Sequence, residues 1–430
     1  MMMSPPYLAG VATAEHRFSL PLDYADPEGT HIEVFARELW ASDKMRESLP
    51  MLVFFQGGPG FGALRPSGRS GWLDRALQEF RVLLLDQRGT GLSSPIHSRA
   101  LSALNSEQQL HYLTQHRADN IVRDAEAIRH QLLGERPWSI LGQSFGGFCV
   151  LRYLSVAHQG VAEAYITGGI PSLSRQAEEV YRATYPRVAE KNRAFFDRFP
   201  RAQALADEIA AYLCANDVRL PDGARLTVER FQLLGIHLGV EEGAEALYYL
   251  LEQALLPSPS GSQLNPGFLH GVMQMLDYDT NPLYTLLHEP IYNQGHASRW
   301  AAHRVRSEFP EFDYRPDRPL RFTGEMVYPW MTEQFQELKP LATLAEALAN
   351  KSDWPPLYDA AQLAKNPVPV AAAVYTQDMF VEHAFSEETI DQVANLVAWR
   401  TSEYEHNGIR MDGYRILDRL ISLNRKQALR

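Results

Sequence analysis

Short continuous apolar runs, each closed by glycine, recur along the early part of the chain. Leu52 to Phe55 in LPMLVFFQGGPG, Val82 to Leu85 in FRVLLLDQRGTG and the run in WSILGQSFGG carry no polar alternation. That pattern predicts strands buried on both faces. Two earlier segments, EHRFSLPLDY and HIEVFARELWA, alternate or are rich in β-formers and flank the turn-forming ADPEGT. They predict an antiparallel hairpin at a sheet edge. Between the second and third runs, Ile121, Val122, Ala125, Ile128, Leu132 and Leu133 recur at helical spacing, and Gly134 is placed to end the helix. FCVLRYLSVAHQG predicts another helix and AEAYITGGIP another buried strand. Strands alternating with helices predict an α/β fold, a mostly parallel sheet covered on both faces.

The texture changes from about Pro171 to Lys365. Helical segments dominate (AEEVYRATYPRVAEKNRAFFDRF, RAQALADEIAAYLCAND and EEGAEALYYLLEQALL), and LPSPSGSQLNPG reads as loop. PVPVAAAVYTQDMF returns to the buried-strand pattern, TIDQVANLVAW predicts a helix leading to a last strand near Trp399 to Tyr404, and YRILDRLISLNRKQAL predicts an amphipathic closing helix. The expected organisation is a sheet domain over 1–170, a large helical cap over 171–365, and the rest of the sheet domain over 366–430.

Composition narrows the function classes. With 430 residues, 45% hydrophobic and 22% charged, the chain can bury a sizeable core. A net charge of −11 argues against nucleic acid, which calls for basic surface, and is compatible with substrates carrying a positive amine. Cys149 and Cys214 are the sole cysteines, too few for a disulfide framework or a zinc cluster. The start lacks the basic and apolar regions of a signal peptide, and no apolar run reaches membrane-spanning length. A soluble cytoplasmic enzyme is the expectation.

The stretch LGQSFGG sets Ser144 in G-x-S-x-G, between a strand and a helix. A serine hydroxyl attacks a carbonyl only with a general base, a group to orient that base, and N–H donors for the oxyanion. The strand–turn–helix context favours a nucleophile over a structural turn serine, because glycines permit the close backbone approaches of a sharp elbow. The chain order for such an elbow is Ser, acid, His. Asp378 follows a buried strand and supplies the acid. His406, in EYEHNG, follows with room for a helix and a strand between, whereas His383 is too near Asp378. Gly57 or Gly58 in QGGPG, after the first buried strand, would supply one oxyanion N–H and Phe145 the other.

FFQGGPG, LLLDQRGTGLSSP and LGQSFGG, in that order, resemble the proline iminopeptidases (prolyl aminopeptidases) of the α/β-hydrolase superfamily, whose usual patterns are HGGPG, DQRGxGxS and GxSxGG. The length, the large insertion and EHNG are similar to the longer branch of that family. One departure is Gln56, where the family has histidine. The resemblance implies an α/β-hydrolase fold with an inserted helical cap, and release of N-terminal proline from peptides through an acyl-enzyme, with no metal or cofactor. Such enzymes read the free amine with acidic residues of the cap, because a cation leaving water needs anionic partners. Glu289 in LLHEPIY and Glu325 in FTGEMVYPW, lone acids amid aromatics, are the candidates. Tyr292 and Tyr328, with Phe322 and Trp330, are candidates to line a pocket for the pyrrolidine ring.

Alternatives on the same scaffold are a tripeptidyl or general aminopeptidase and a carboxylesterase; cap acids favour peptide amines over neutral esters. A non-catalytic binding protein would have lost part of the triad, all of which can be placed here. Epoxide hydrolases and dehalogenases carry a carboxylate where Ser144 stands.

Overall fold

The structure is a computed structural model, in which residues 3–44, 47–259 and 261–426 are described. The chain divides into two compact units. The first comprises Met1–Ser174, Asp353–Thr376 and His383–Arg430, and the second Arg175–Ser352 and Gln377–Glu382.

Eleven strands occur among the described residues: β1 (Met3–Leu8), β2 (Val11–Pro21), β3 (His31–Ala41), β4 (Met51–Phe55), β5 (Arg81–Leu85), β6 (Trp138–Gln143), β7 (Val161–Thr167), β8 (Leu255–Ser258), β9 (Gly261–Leu264), β10 (Val370–Tyr375) and β11 (Leu396–Thr401). Nine of them build the sheet of the first unit, in the order β1-β2-β3-β5-β4-β6-β7-β10-β11. The pairs from β1 to β5 are antiparallel and those from β5 to β11 parallel. The parallel strands are those with continuous apolar runs: every residue of β4, β6 and β10 is buried. Such runs are stable only with a layer on each face. One face is closed by the final helix, Gly413–Asn424, whose Ile416, Leu417, Leu420 and Ile421 join Phe54, Leu84, Leu141, Tyr165 and Ala373 in one buried cluster.

Three expectations are corrected. The β2–β3 hairpin is not at the edge, because β1 pairs outside it. β1 holds Pro5 and Pro6, which weaken a strand reading and are tolerated at an edge. The helix before β11 is His383–Ile390, earlier than TIDQVANLVAW predicts. LPSPSGSQLNPG is not all loop: β8 and β9 form an antiparallel hairpin there.

The second unit is helical, with Ala177–Arg198, Pro200–Ala215 and Gly243–Glu252 at the three segments expected. It also takes in 377–382, where Arg187 pairs with Glu382 and Phe380 packs tightly on Gly239. Residues 353–365, expected with the cap, group with the sheet. Arg117 donates to the Pro355 carbonyl and Arg152 to those of Pro356 and Leu357, so backbone groups with no strand partner are satisfied by guanidinium donors.

Candidate active site

Ser144 stands where β6 ends and the helix Phe145–Val156 begins. Its backbone is at φ 54° and ψ −124°, a conformation that L-residues rarely adopt. The turn is fixed at both sides: Ser144 N–H donates to the Thr167 carbonyl (3.0 Å), and the Ser144 carbonyl accepts from Gly147 N–H (2.7 Å). The flanking glycines are required by contact. A Cβ on Gly142 would lie 2.3 Å from the Gly146 carbonyl oxygen, and one on Gly146 2.0 Å from that of Phe55. Ser144 keeps partial exposure between buried Gln143 and Phe145. The Phe145 N–H is the first of its helix, where intrahelical acceptors are lacking and the helix dipole is positive.

The loop after β4 runs against this elbow. A Cβ on Gly57 would lie 2.9 Å from Ser144 Cβ and 2.7 Å from Gln143 Oε1, so only glycine fits. Gln56, buried at 3% exposure, stands where the family resemblance expects histidine. With its amide oxygen facing the available donors, it accepts from Gly57 N–H (3.3 Å) and from Arg410 Nη2 (3.2 Å). Its backbone carbonyl accepts from Gln87 Nε2 (3.0 Å). The Asp86 carboxylate, fully buried, accepts from Ala63 N–H (3.0 Å), Leu92 N–H (2.9 Å) and Arg65, joining the loops after β4 and β5.

His406 is buried in the connection between β11 and the helix Gly408–Met411. Its carbonyl oxygen lies 3.3 Å from where a Cβ on Gly168 would sit, one residue past the Thr167 that holds Ser144. The sheet unit therefore brings Ser144, Gly57 and the His406 loop to one end of the parallel strands. Asp378 lies three residues beyond β10, in the stretch that groups with the helical unit. It is 2% exposed, and its Oδ1 accepts from Phe380 N–H (2.8 Å) and Val381 N–H (3.2 Å).

In the helical unit the two candidate acids have different surroundings. Glu289 is 3% exposed, and its oxygens accept from Ala301 N–H (3.0 Å) and Ala302 N–H (2.9 Å), at the start of the helix Ala301–Arg306. Burial raises its pKa. Glu325 keeps partial exposure and accepts from the Tyr284 hydroxyl at Oε1 (2.7 Å). Burial, then this carboxylate, pushes the Tyr284 and Tyr278 phenols up. Tyr328 is fully buried, its hydroxyl paired with that of Tyr185 (3.0 Å) and its ring stacked on Trp330. Tyr292 is partly exposed, with its ring edge against His288. Tyr284 and Arg410 carry no functional signal in the sequence. Tyr284 looks like any core aromatic of a helix, and Arg410 carries no motif.

Cys149 and Cys214 are both free. Among the described residues no group of three His, Cys, Asp or Glu could hold a metal ion, and no helix is long and apolar enough to cross a membrane.

Residues 50–266 match the family described as alpha/beta hydrolase fold. The chain is 56% identical over 427 residues to "Proline iminopeptidase" of Aeromonas sobria, covering 99% of this chain and 100% of the relative. It is 34% identical over 429 residues to "Proline iminopeptidase aneH" of Aspergillus aculeatus, covering 96% of this chain and 93% of the relative.

Proposed function

Because the chain belongs to the proline iminopeptidases of the α/β-hydrolase superfamily, we propose that it releases N-terminal proline from peptides by acyl transfer through Ser144. The observation that carries this reading is the elbow. A partly exposed serine is held at φ 54° at a helix N-terminus, with Gly57 passing against its side chain.

In this reading Ser144 Oγ attacks the carbonyl carbon of the substrate's proline while His406 takes the hydroxyl proton. Charge developing on the carbonyl oxygen is met by the Phe145 N–H and by the N–H of the following-strand loop. Gly57 N–H is already turned to Gln56, which favours Gly58 as that second donor. His406 then protonates the departing amine, and water hydrolyses the prolyl ester along the reverse path. Asp378 orients His406 and stabilises the imidazolium. Glu325 receives the substrate's cationic amine, since its carboxylate is partly open and has a Tyr284 donor to hold it in place. Glu289 serves as a helix cap, its oxygens being occupied by backbone N–H groups.

A panel of prolyl, alanyl and tripeptidyl naphthylamides beside a nitrophenyl ester tests the reading. Selective turnover of the prolyl substrate, lost in Ser144→Ala, is expected. Turnover of the ester alone would remove the peptidase assignment.

A further inference from the structure

Arg410 stands in the helix Gly408–Met411, four residues beyond His406, and its side chain returns to the loop after β4 to donate to Gln56. It keeps solvent access, yet the surrounding protein lowers its pKa, with desolvation as the cause. Among the described residues no carboxylate lies within ion-pairing distance of it. A guanidinium with donors to spare, partly desolvated and lacking a counter-ion, is matched to an anion from outside. Its position says which one. Gln56 links Arg410 to Gly57, and Gly57 touches Ser144, so the cation sits on the wall of the elbow that also carries His406. In an acyl transfer the leaving amine lies beside the base that protonates it. When the substrate is a dipeptide, the C-terminal carboxylate belongs to that same leaving residue, its carbon about 2.5 Å from the amine nitrogen across a single Cα.

We propose that Arg410 receives the terminal carboxylate of the leaving residue, so that the enzyme favours Pro-Xaa dipeptides with a free C-terminus over their amides and over longer peptides. The proposal rests on the iminopeptidase reading and adds a specificity residue to it. Gln56 has a double part: it holds the oxyanion loop and keeps the guanidinium in place.

The test compares kcat/KM for Pro-Ala, Pro-Ala-amide and prolyl naphthylamide in the wild type, Arg410→Met and Arg410→Lys. The readout is the ratio of acid to amide, in which any general effect on the oxyanion loop cancels. That ratio should fall about tenfold or more in Arg410→Met, the contribution of one charge-assisted hydrogen bond. Arg410→Lys should retain part of the preference. Equal losses on all three substrates, with the ratio unchanged, would show that Arg410 only supports the loop and would overturn the proposal. Absence of turnover on every proline substrate by the wild type would overturn the parent reading and this one with it.

Discussion

At the scale of single residues, the backbone of Ser144 sets stability against activity. A non-glycine residue at φ 54° and ψ −124° carries strain, about 1 to 3 kcal/mol for such positions. Glycine relieves it, offset in part by the freer unfolded chain. Ser144→Gly should therefore raise the unfolding free energy by about 1 kcal/mol while abolishing hydrolysis; a lowered melting temperature would contradict this. The acids separate by their partners. Glu325→Gln should raise KM for prolyl naphthylamide about tenfold, since an amide offers no charge to the substrate amine. Glu289→Gln should change KM less than about twofold and lower stability, because it loses an acceptor for two helix-starting N–H groups. Burial raises the Glu289 pKa, so the stability linked to its protonated form is present at acid pH and lost as pH rises past the carboxylate range. The deficit of Glu289→Gln should shrink as pH rises toward neutrality, as melting curves across pH will report.

At the scale of elements, a single carboxylate staples two loops. Asp86 accepts from the backbone at Ala63 and Leu92 and from Arg65, and it fills the space that side chains at Gly62 and Gly91 would need. Asp86→Asn halves the acceptors and brings an N–H against donors. It should lower stability by about 1 to 3 kcal/mol, and kcat more than KM, because the loop it holds carries the proposed oxyanion donor; unchanged kcat with lowered stability would confine Asp86 to a structural part. Asp86 was visible in DQRGTG only as a motif letter, since its partners lie on a different loop. The same distinction explains what else was legible. Continuous apolar runs gave β4 to β7 and β10 because two-sided burial leaves its mark within the strand itself. β1 was hidden by its two prolines and β8–β9 by Ser-Pro-Ser-Gly turn chemistry, where pairing rather than side-chain pattern makes the strand. Ser144 could be read because an elbow is a local device. The difference between Glu289 and Glu325 could not, because it depends on whether backbone donors twelve and thirteen residues away or a tyrosine forty-one residues away face the carboxylate.

For the molecule as a whole, two buried imidazoles weaken stability in acid, His116 in the sheet unit and His288 in the helical unit. In the sheet unit, burial and then the Arg88 guanidinium push His116 down to about 3; its Nδ1 meets the Tyr112 carbonyl at 2.8 Å, and its Nε2 has no hydrogen-bond partner. In the helical unit, burial pushes His288 down to about 4. Both are neutral in the folded protein at a pH where the unfolded chain would protonate them. Folded pKa values below the ordinary 6.5 mean that this stability is complete above that value and lost as pH falls toward 4 and 3. Between neutrality and about pH 4.5, each histidine should cost about 2 to 3 kcal/mol relative to a residue that does not titrate. His116→Gln keeps a donor for Tyr112 and removes the proton uptake. It should be no more stable than the wild type at neutral pH, yet lose less stability on acidification, with a shallower slope of unfolding free energy against pH. His116 and His288 lie in different units and share no partner, so the double variant with His288→Gln should flatten the slope by the sum of the single effects. Denaturant melts across pH measure the slopes directly. Parallel slopes in wild type and variants would mean that other groups set the acid limit and that the two imidazoles titrate alike in folded and unfolded chains.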